Sequence, residues 1–182
     1  MDRSADIRPD EQLMQASAGG DSGAFAVLVR RHQDPLLNFF RRMGVYMEAE
    51  DLVQETFVRL FKYRDRYEPT AKFTTFLYTI ARHARLDLLR KHRRKEGLLR
   101  RFGEESPTAD ESGMELAASR LDADAALRRL PEKLRNVVVL SLYQGLNYDE
   151  IAGVLRIPQG TVKSRMFLAL SRLKEAFHDG KQ

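Results

Sequence analysis

Apolar side chains recur at spacings of three and four along nearly the whole chain, and almost nowhere do they alternate with polar ones over a strand's length. Such a pattern gives each helix one apolar stripe and leaves a strand no buried face, so the predicted fold is all-α. With 182 residues, 43% of them hydrophobic, the chain has material for one ordinary domain or two small ones. The chain has 0 Cys, which removes disulfides, thiolate nucleophiles and thiolate-held zinc or iron–sulfur clusters, and this suits a reducing cytosol. His32, His83, His92 and His178 are scattered, and neither a metal nor a cofactor is expected. The longest apolar runs, such as 137–140, fall far short of the ~18 residues that a membrane span requires. No signal peptide is read in the first six residues, and the expected location is cytoplasmic.

Charge divides the chain further. Residues 81–101 carry 9 basic and 2 acidic side chains, 102–124 carry 1 and 7, and 125–182 carry 10 and 5. The acidic stretch, rich in Gly, Ser and Pro, cannot bury much surface and is expected to be a flexible linker. Three parts follow: a helical domain over 1–96, a linker over 97–120 and a second helical domain over 121–182. In the first, Asp21 is expected to open one long helix bent near Pro35, with Phe25, Leu28, Val29, Leu36, Leu37 and Phe40 inward and Gly44 as its stop. A second helix opens on Glu48, Glu50 and Asp51, turns Val53, Phe57, Leu60 and Phe61 inward, and leaves Asp51, Gln54, Glu55 and Arg59 outside. Residues 63–72 read as a loop around Pro69. Phe73, Leu77, Ile80, Ala84 and Leu88 then stripe a helix that ends in the basic run 91–95.

The sharpest local signal lies in 147–170. Asn147 with Glu150 three residues on forms a capping box, Ile151, Ala152 and Leu155 point inward, and a tight break follows at 156–158. A second helix then carries the stripe Val162, Met166, Ala169, Leu173 and Phe177. Two short helices across a tight turn, the second bearing five basic residues between Arg156 and Lys174 and no acid before Glu175, suggest a DNA-binding helix-turn-helix. A plain helical hairpin is the alternative. Ser164, Leu168 and Ser171 point away from the stripe while Lys163, Arg165 and Arg172 flank it. In the first domain, Tyr63, Tyr67 and Tyr78 beside Arg82, His83 and Arg85 offer rings and cations of the kind that hold single-stranded bases. Gly20 to Gly23 has the look of a fragment of a serine-nucleophile loop, yet without a partnered His and Asp it reads as a helix cap.

Taken in order, these motifs resemble the extracytoplasmic-function group of bacterial sigma factors, within the sigma-70 family. Residues 51–57 (DLVQETF) look like the polymerase-binding motif of sigma region two, and 73–83 (FTTFLYTIARH) like the promoter-melting segment. Residues 130–135, 147–152 and 158–165 look like region four. The resemblance implies that Asp51, Leu52, Gln54 and Glu55 dock on core RNA polymerase. It implies that Tyr63, Tyr67, Tyr78, Arg82, His83, Arg85 and Arg90 serve the minus-ten strand, with an extruded base held by the 63–72 loop. Thr161, Lys163, Ser164, Arg165, Phe167, Leu168 and Arg172 would read the minus-thirty-five duplex. Its implied partners are core polymerase, promoter DNA and an anti-sigma factor; no catalysis is implied. The chain departs from the family pattern at Phe76, where Trp is usual, at His83 for Asn, at Arg156 for the turn Gly, and at Leu168 and Leu170, positions often held by Arg.

Two other functions compete with that reading. A self-sufficient helix-turn-helix regulator would bind operator duplex unaided, and a hydrolase built on Ser22 lacks its partners. Since Leu cannot make the bidentate contact that Arg makes to guanine, Leu168→Arg is expected to change the minus-thirty-five preference in binding-site selection from random sequence. An unchanged preference would mean that this side chain does not read bases.

Overall fold

A computed structural model describes residues 6–101 and 118–179. It contains α1 (Asp10–Ala18), α2 (Ser22–Arg42), α3 (Ala49–Tyr63), a 3-10 turn (Arg64–Arg66), α4 (Phe73–Arg101), α5 (Ala118–Arg129), α6 (Glu132–Val138), a π-helical turn (Val139–Tyr143), α7 (Tyr148–Leu155) and α8 (Gln159–Asp179). Among the described residues there is no strand.

Local sequence explains most of the boundaries. Asp21 caps α2, its carboxylate accepting from the Ala24 amide at 3.0 Å. Pro35 lies inside α2, where it removes a helical donor. The helix continues through it because Val27 and Leu28 on one side and Leu36, Phe39 and Phe40 on the other are buried. On α3 the inward set is Ala49, Leu52, Thr56, Phe57 and Leu60 rather than the expected Val53, Phe57, Leu60 and Phe61. Phe61 is 42% exposed, although its ring still meets Phe25 edge-on at 5.1 Å.

Helix α4 runs past the basic run to Arg101. Gly97 costs it about 1 kcal/mol, but Leu, Arg, Lys and Glu flank that position and are good helix formers. The expected linker over 97–120 therefore overlaps the ends of α4 and α5, and its middle, 102–117, lies outside the described residues. The N-terminus of α4 is capped from a distance, because the Phe73 amide donates to Glu11 Oε1 of α1 at 2.8 Å. Helix α1 is held to α2 in turn by Asp10, which takes Arg31 Nη1 at 2.6 Å and His32 Nε2 at 2.7 Å. Burial works against the charged form of Asp10, yet these hydrogen bonds outweigh it and hold the carboxyl below its usual range.

Helices α1 to α4 pack sequentially, α5 to α8 form a second group around α8, and α4 lies against α7. One contiguous cluster of buried residues extends from Leu13 and Met14 to Met166 and Ala169 and joins the two groups. Side chains that read as two separate cores in sequence share one interior here.

Four helix ends use the same reversal of direction. After α1, α2 and α7, paired amide donors close on carbonyls three and five residues back: Gly20 and Asp21, Gly44 and Val45, Arg156 and Ile157. At the fourth end, Gly145 and Leu146 reach four and six residues back, one residue further, because the preceding turn is π-helical. Three of these reversals have Gly at positive φ, whereas Arg156 adopts φ 55° and ψ 52° as the one described non-Gly residue in that region. An L side chain there costs ~1–2 kcal/mol, against ~0.5–1 kcal/mol for the extra unfolded-state freedom of glycine. Arg156 is solvent-exposed. Replacing it by Gly is expected to stabilise the protein by about 0.5–1 kcal/mol in urea unfolding. A lower midpoint in the variant would mean that the arginine side chain supplies contacts that offset its backbone strain.

Candidate nucleic-acid interface

In the second group, α7 and α8 meet across the Arg156 turn. The capping box is complete: the Glu150 amide donates to Asn147 Oδ1 at 2.9 Å and the Asn147 amide to Glu150 Oε2 at 2.7 Å. The same carboxylate accepts Lys72 Nζ of the first group at 3.0 Å. Burial pushes Glu150 up, but these two contacts prevail and lower its pKa. Along α8, Val162, Met166 and Ala169 are buried. Lys163, Ser164, Phe167, Leu168 and Arg172 are exposed, and Thr161 and Arg165 are half-buried. The outer face is more apolar than sequence composition suggests, with Phe167 72%, Leu168 51% and Leu170 47% exposed.

On α3, Asp51, Gln54 and Glu55 are exposed and share one face. Leu52 is 5% exposed and faces the core, which corrects its assignment as a docking residue: one position along a helix turns a side chain by about 100°. Val58 and Phe61 lie one heptad beyond Asp51 and Gln54 and are 46% and 42% exposed. They add apolar area to the acidic face, and only their exposure reveals it. Arg59 bridges Glu55 at 2.7 Å and Asp87 of α4 at 2.8 Å, and Arg90 takes the other oxygen of Asp87 at 2.9 Å. This network fixes α3 on α4 while leaving Asp51 free of it.

The candidate minus-ten residues separate by burial. Tyr63, at the end of α3, is 49% exposed, and Arg90 is exposed, while Arg82 and His83 are half-buried. The Tyr67 ring packs on Phe76 at 5.3 Å; its buried hydroxyl has no partner, and burial, aided by Glu11 and Asp10, pushes its pKa up to about 12. Two assignments are corrected. Tyr78 is 2% exposed, tilted on Phe39 at 5.1 Å, and donates its hydroxyl to Gln144 Oε1. Arg85 is 8% exposed, with Nη1 on Glu132 Oε1 at 2.7 Å and Nη2 on the Met43 carbonyl at 3.0 Å. Both lie on the stripe of α4 that meets the rest of the molecule, and neither is available to a strand of DNA in this arrangement.

The two groups are held together by further polar contacts that sequence reasoning missed. Arg42 stacks over the Tyr143 ring at 4.0 Å and lies 3.6 Å from Asp124. Arg128 donates to the Tyr46 hydroxyl at 3.4 Å. Arg82 and His83 sit close to Arg156 across this junction. For both, burial is the larger cause and Arg156 the next, and both are pushed toward their neutral forms. Among the described residues no three His, Asp or Glu side chains could hold a metal, and no helix is long and apolar enough to cross a membrane.

Comparison with known proteins locates the two groups in a family. The Sigma-70 region 2 model matches residues 28–95, and the Sigma-70, region 4 model matches 120–173. The chain is 33% identical to the ECF RNA polymerase sigma factor SigW of Bacillus subtilis, covering 88% of this chain and 92% of that one. It is 31% identical to the RNA polymerase sigma-H factor of Pseudomonas aeruginosa, over 92% and 93% of the two chains. Among solved structures, CnrH in complex with the cytosolic domain of CnrY superposes with a TM-score of 0.71 at 26% identity, over 95% of this chain and 99% of that one. RpoE of Bartonella quintana in complex with the anti-sigma factor NepR gives 0.68 at 26% identity, over 84% and 93%.

Because the His83 pKa is lowered from 6.5 in the folded protein, the unfolded chain binds more protons as pH falls below 6.5. Stability therefore declines from that pH down through the folded pKa, above the range in which Asp and Glu titrate. Urea unfolding at pH 7.5 and 5.5 should show a smaller loss for His83→Gln than for the wild type. Equal losses would mean that His83 is as easily protonated folded as unfolded.

Proposed function

We infer that this chain, which belongs to the extracytoplasmic-function group of sigma-70 factors, directs core RNA polymerase to specific promoters by docking through α3 and reading DNA through α4 and α8. The observation that carries this reading is the placement of two exposed faces of opposite character: acids and apolar side chains on α3, and Lys163, Ser164, Arg165 and Arg172 on the second helix of a capped helix-turn-helix. Complementary charge steers the first onto a basic surface and the second onto phosphates. Region two, residues 1–96, would hold the minus-ten strand through Tyr63, Arg82, His83 and Arg90, with Tyr67 shaping the loop from beneath. Region four, residues 121–182, would read the minus-thirty-five duplex. Leu168 and Phe167 suit contact with thymine methyls rather than guanine edges. The protein acts by binding, catalyses no reaction itself and works in the cytoplasm, where its polymerase and promoters are. An anti-sigma partner is inferred from the likeness to RpoE, whose structure holds one.

Arg85 and the half-buried Arg82 and His83 add a requirement. For the flank of α4 that bears them to meet a strand, α6 and α7 must leave it, so promoter engagement on this reading proceeds through separation of the two groups on polymerase. A promoter-sized span between α4 and α8 also needs that separation.

Gel filtration with sigma-free bacterial core polymerase tests the reading without a cognate promoter. One-to-one co-elution is expected. Asp51→Ala combined with Glu55→Ala should weaken it about tenfold, ~1.4 kcal/mol, with an unchanged circular dichroism spectrum. Affinity retained by the double variant would overturn the docking face, and a chain that stays free at low salt would overturn the sigma reading.

A further inference from the structure

At the junction of the two groups lies a cavity of about 290 Å³, walled by α2 and α4 on one side and by α6, α7 and α8 on the other. Its apolar wall includes Phe39, Leu86, Leu140, Val154 and Ile157. Arg82, Lys133 and Arg165 also line it, and no described residue gives any of the three a hydrogen bond or an ion pair. The one carboxylate of the lining, Glu132, is engaged by Arg85 at 2.7 Å. Two polar atoms of the lining are buried without a partner: the Nε of Arg85, whose side chain is nine-tenths buried, and the Oδ1 of Asn136. Native interiors seldom leave such atoms unmatched, so each marks where a ligand atom gains a hydrogen bond at little desolvation cost.

The chemistry of a complementary molecule follows from these groups. Three unmatched cations, one of them driven toward neutrality by burial and by Arg156, call for an anion with several acceptor oxygens. Asn136 Oδ1 calls for a hydroxyl or amino donor on the same molecule. The apolar wall calls for a flat or hydrophobic body. Size excludes a peptide helix, whose diameter with side chains is about 10–12 Å, and places the cavity at the lower end of the ~300–1,000 Å³ typical of small-molecule sites.

We propose that this cleft binds a small phosphomonoester carrying a ring, of the mononucleotide class, with its phosphate on Arg82, Lys133 and Arg165 and a hydroxyl or amino group on Asn136. Because its walls come from both groups, the ligand holds α4 against α6 and α8 in proportion to its occupancy. Binding stands on the cleft alone. Its consequence, that an occupied cleft opposes promoter engagement, rests on the sigma reading.

Isothermal titration of the full chain with adenosine and guanosine monophosphate, alongside inorganic phosphate, tests the site. The expected result is one-to-one binding of at least one nucleotide, at least tenfold tighter than inorganic phosphate. Lys133→Glu and Asn136→Leu, two residues outside the DNA-reading set, should each weaken nucleotide binding at least tenfold, while Asn136→Leu leaves phosphate binding unchanged. Far-UV circular dichroism checks that both variants fold. Absence of saturable heat from either nucleotide in the wild-type chain overturns the proposal. Equal binding by folded variants overturns it too, as attraction to a basic surface, and phosphate as tight as nucleotide reduces the site to an anion hole and overturns the assigned class. A chain that binds nucleotide yet fails to co-elute with polymerase would keep the site and remove only its consequence.

Discussion

A guanidinium buried between two helical groups sets the architecture of this molecule. Arg85 enters from α4, takes the Met43 carbonyl at the end of α2 and the Glu132 carboxylate at the start of α6, and so ties three helices from both halves of the chain. Burying that charge is costly unless its donors are matched, and loss of a partner from such a pair typically costs ~3–5 kcal/mol. Hence the orientation of α6, and of the π-helical turn that continues it, is fixed against α4. Burial opposes ionisation of Glu132 less than Arg85 favours it, and its pKa is lowered, with the Arg85 hydrogen bond as the main cause. By contrast, the solvent-facing pairs Lys72–Glu150 and Arg42–Asp124 contribute little each and serve register more than stability.

What could be read in the chain beforehand depended on the range over which each feature is determined. The capping box at Asn147 and Glu150, the Asp21 cap and the apolar stripe of α8 are decided within a few residues, and all three have the expected form. The acidic face of α3 was legible as charge. Its inward edge was not, because Leu52 and Val53 are equally apolar and only the angle of α3 against α2 and α4 selects between them. Tyr78 and Arg85 eluded sequence reading for another reason. An aromatic beside a cation suits a nucleic-acid surface and a polar junction alike, and the partners that decide, Gln144 and Glu132, lie 66 and 47 residues away. The reach of α4 beyond its basic run was hidden by Gly97, a weak breaker that good helix formers outweigh.

The carboxylates of the second group occupy, toward the first, a role that resembles that of a polyanion. Glu132 and Glu150 meet Arg85 and Lys72, and Asp124 meets Arg42, so the cationic flank of region two is partly matched by acids from region four. On the sigma reading, a promoter strand must replace these acids with phosphates, an exchange of like for like in charge, and its cost is then mostly that of parting the apolar contact between α4 and α7. Arg156 adds to this balance. Its strained backbone brings another cation near Arg82 and His83, which discourages their protonated forms while the groups are together.

The π-helical turn at Val139–Tyr143 is, in register, a helix with one residue too many. Each residue advances a helix by about 100°, so the surplus rotates everything after it by that amount relative to an uninterrupted α-helix. Tyr143 and Gln144 reach Arg42 and Tyr78 because of that rotation. A chain shorter by one residue between 139 and 143 would keep the same side chains and the same hydrophobic composition, yet aim them elsewhere. The fit of one half of this protein to the other is thus written partly in a count of residues, which changes by insertion and deletion rather than by substitution.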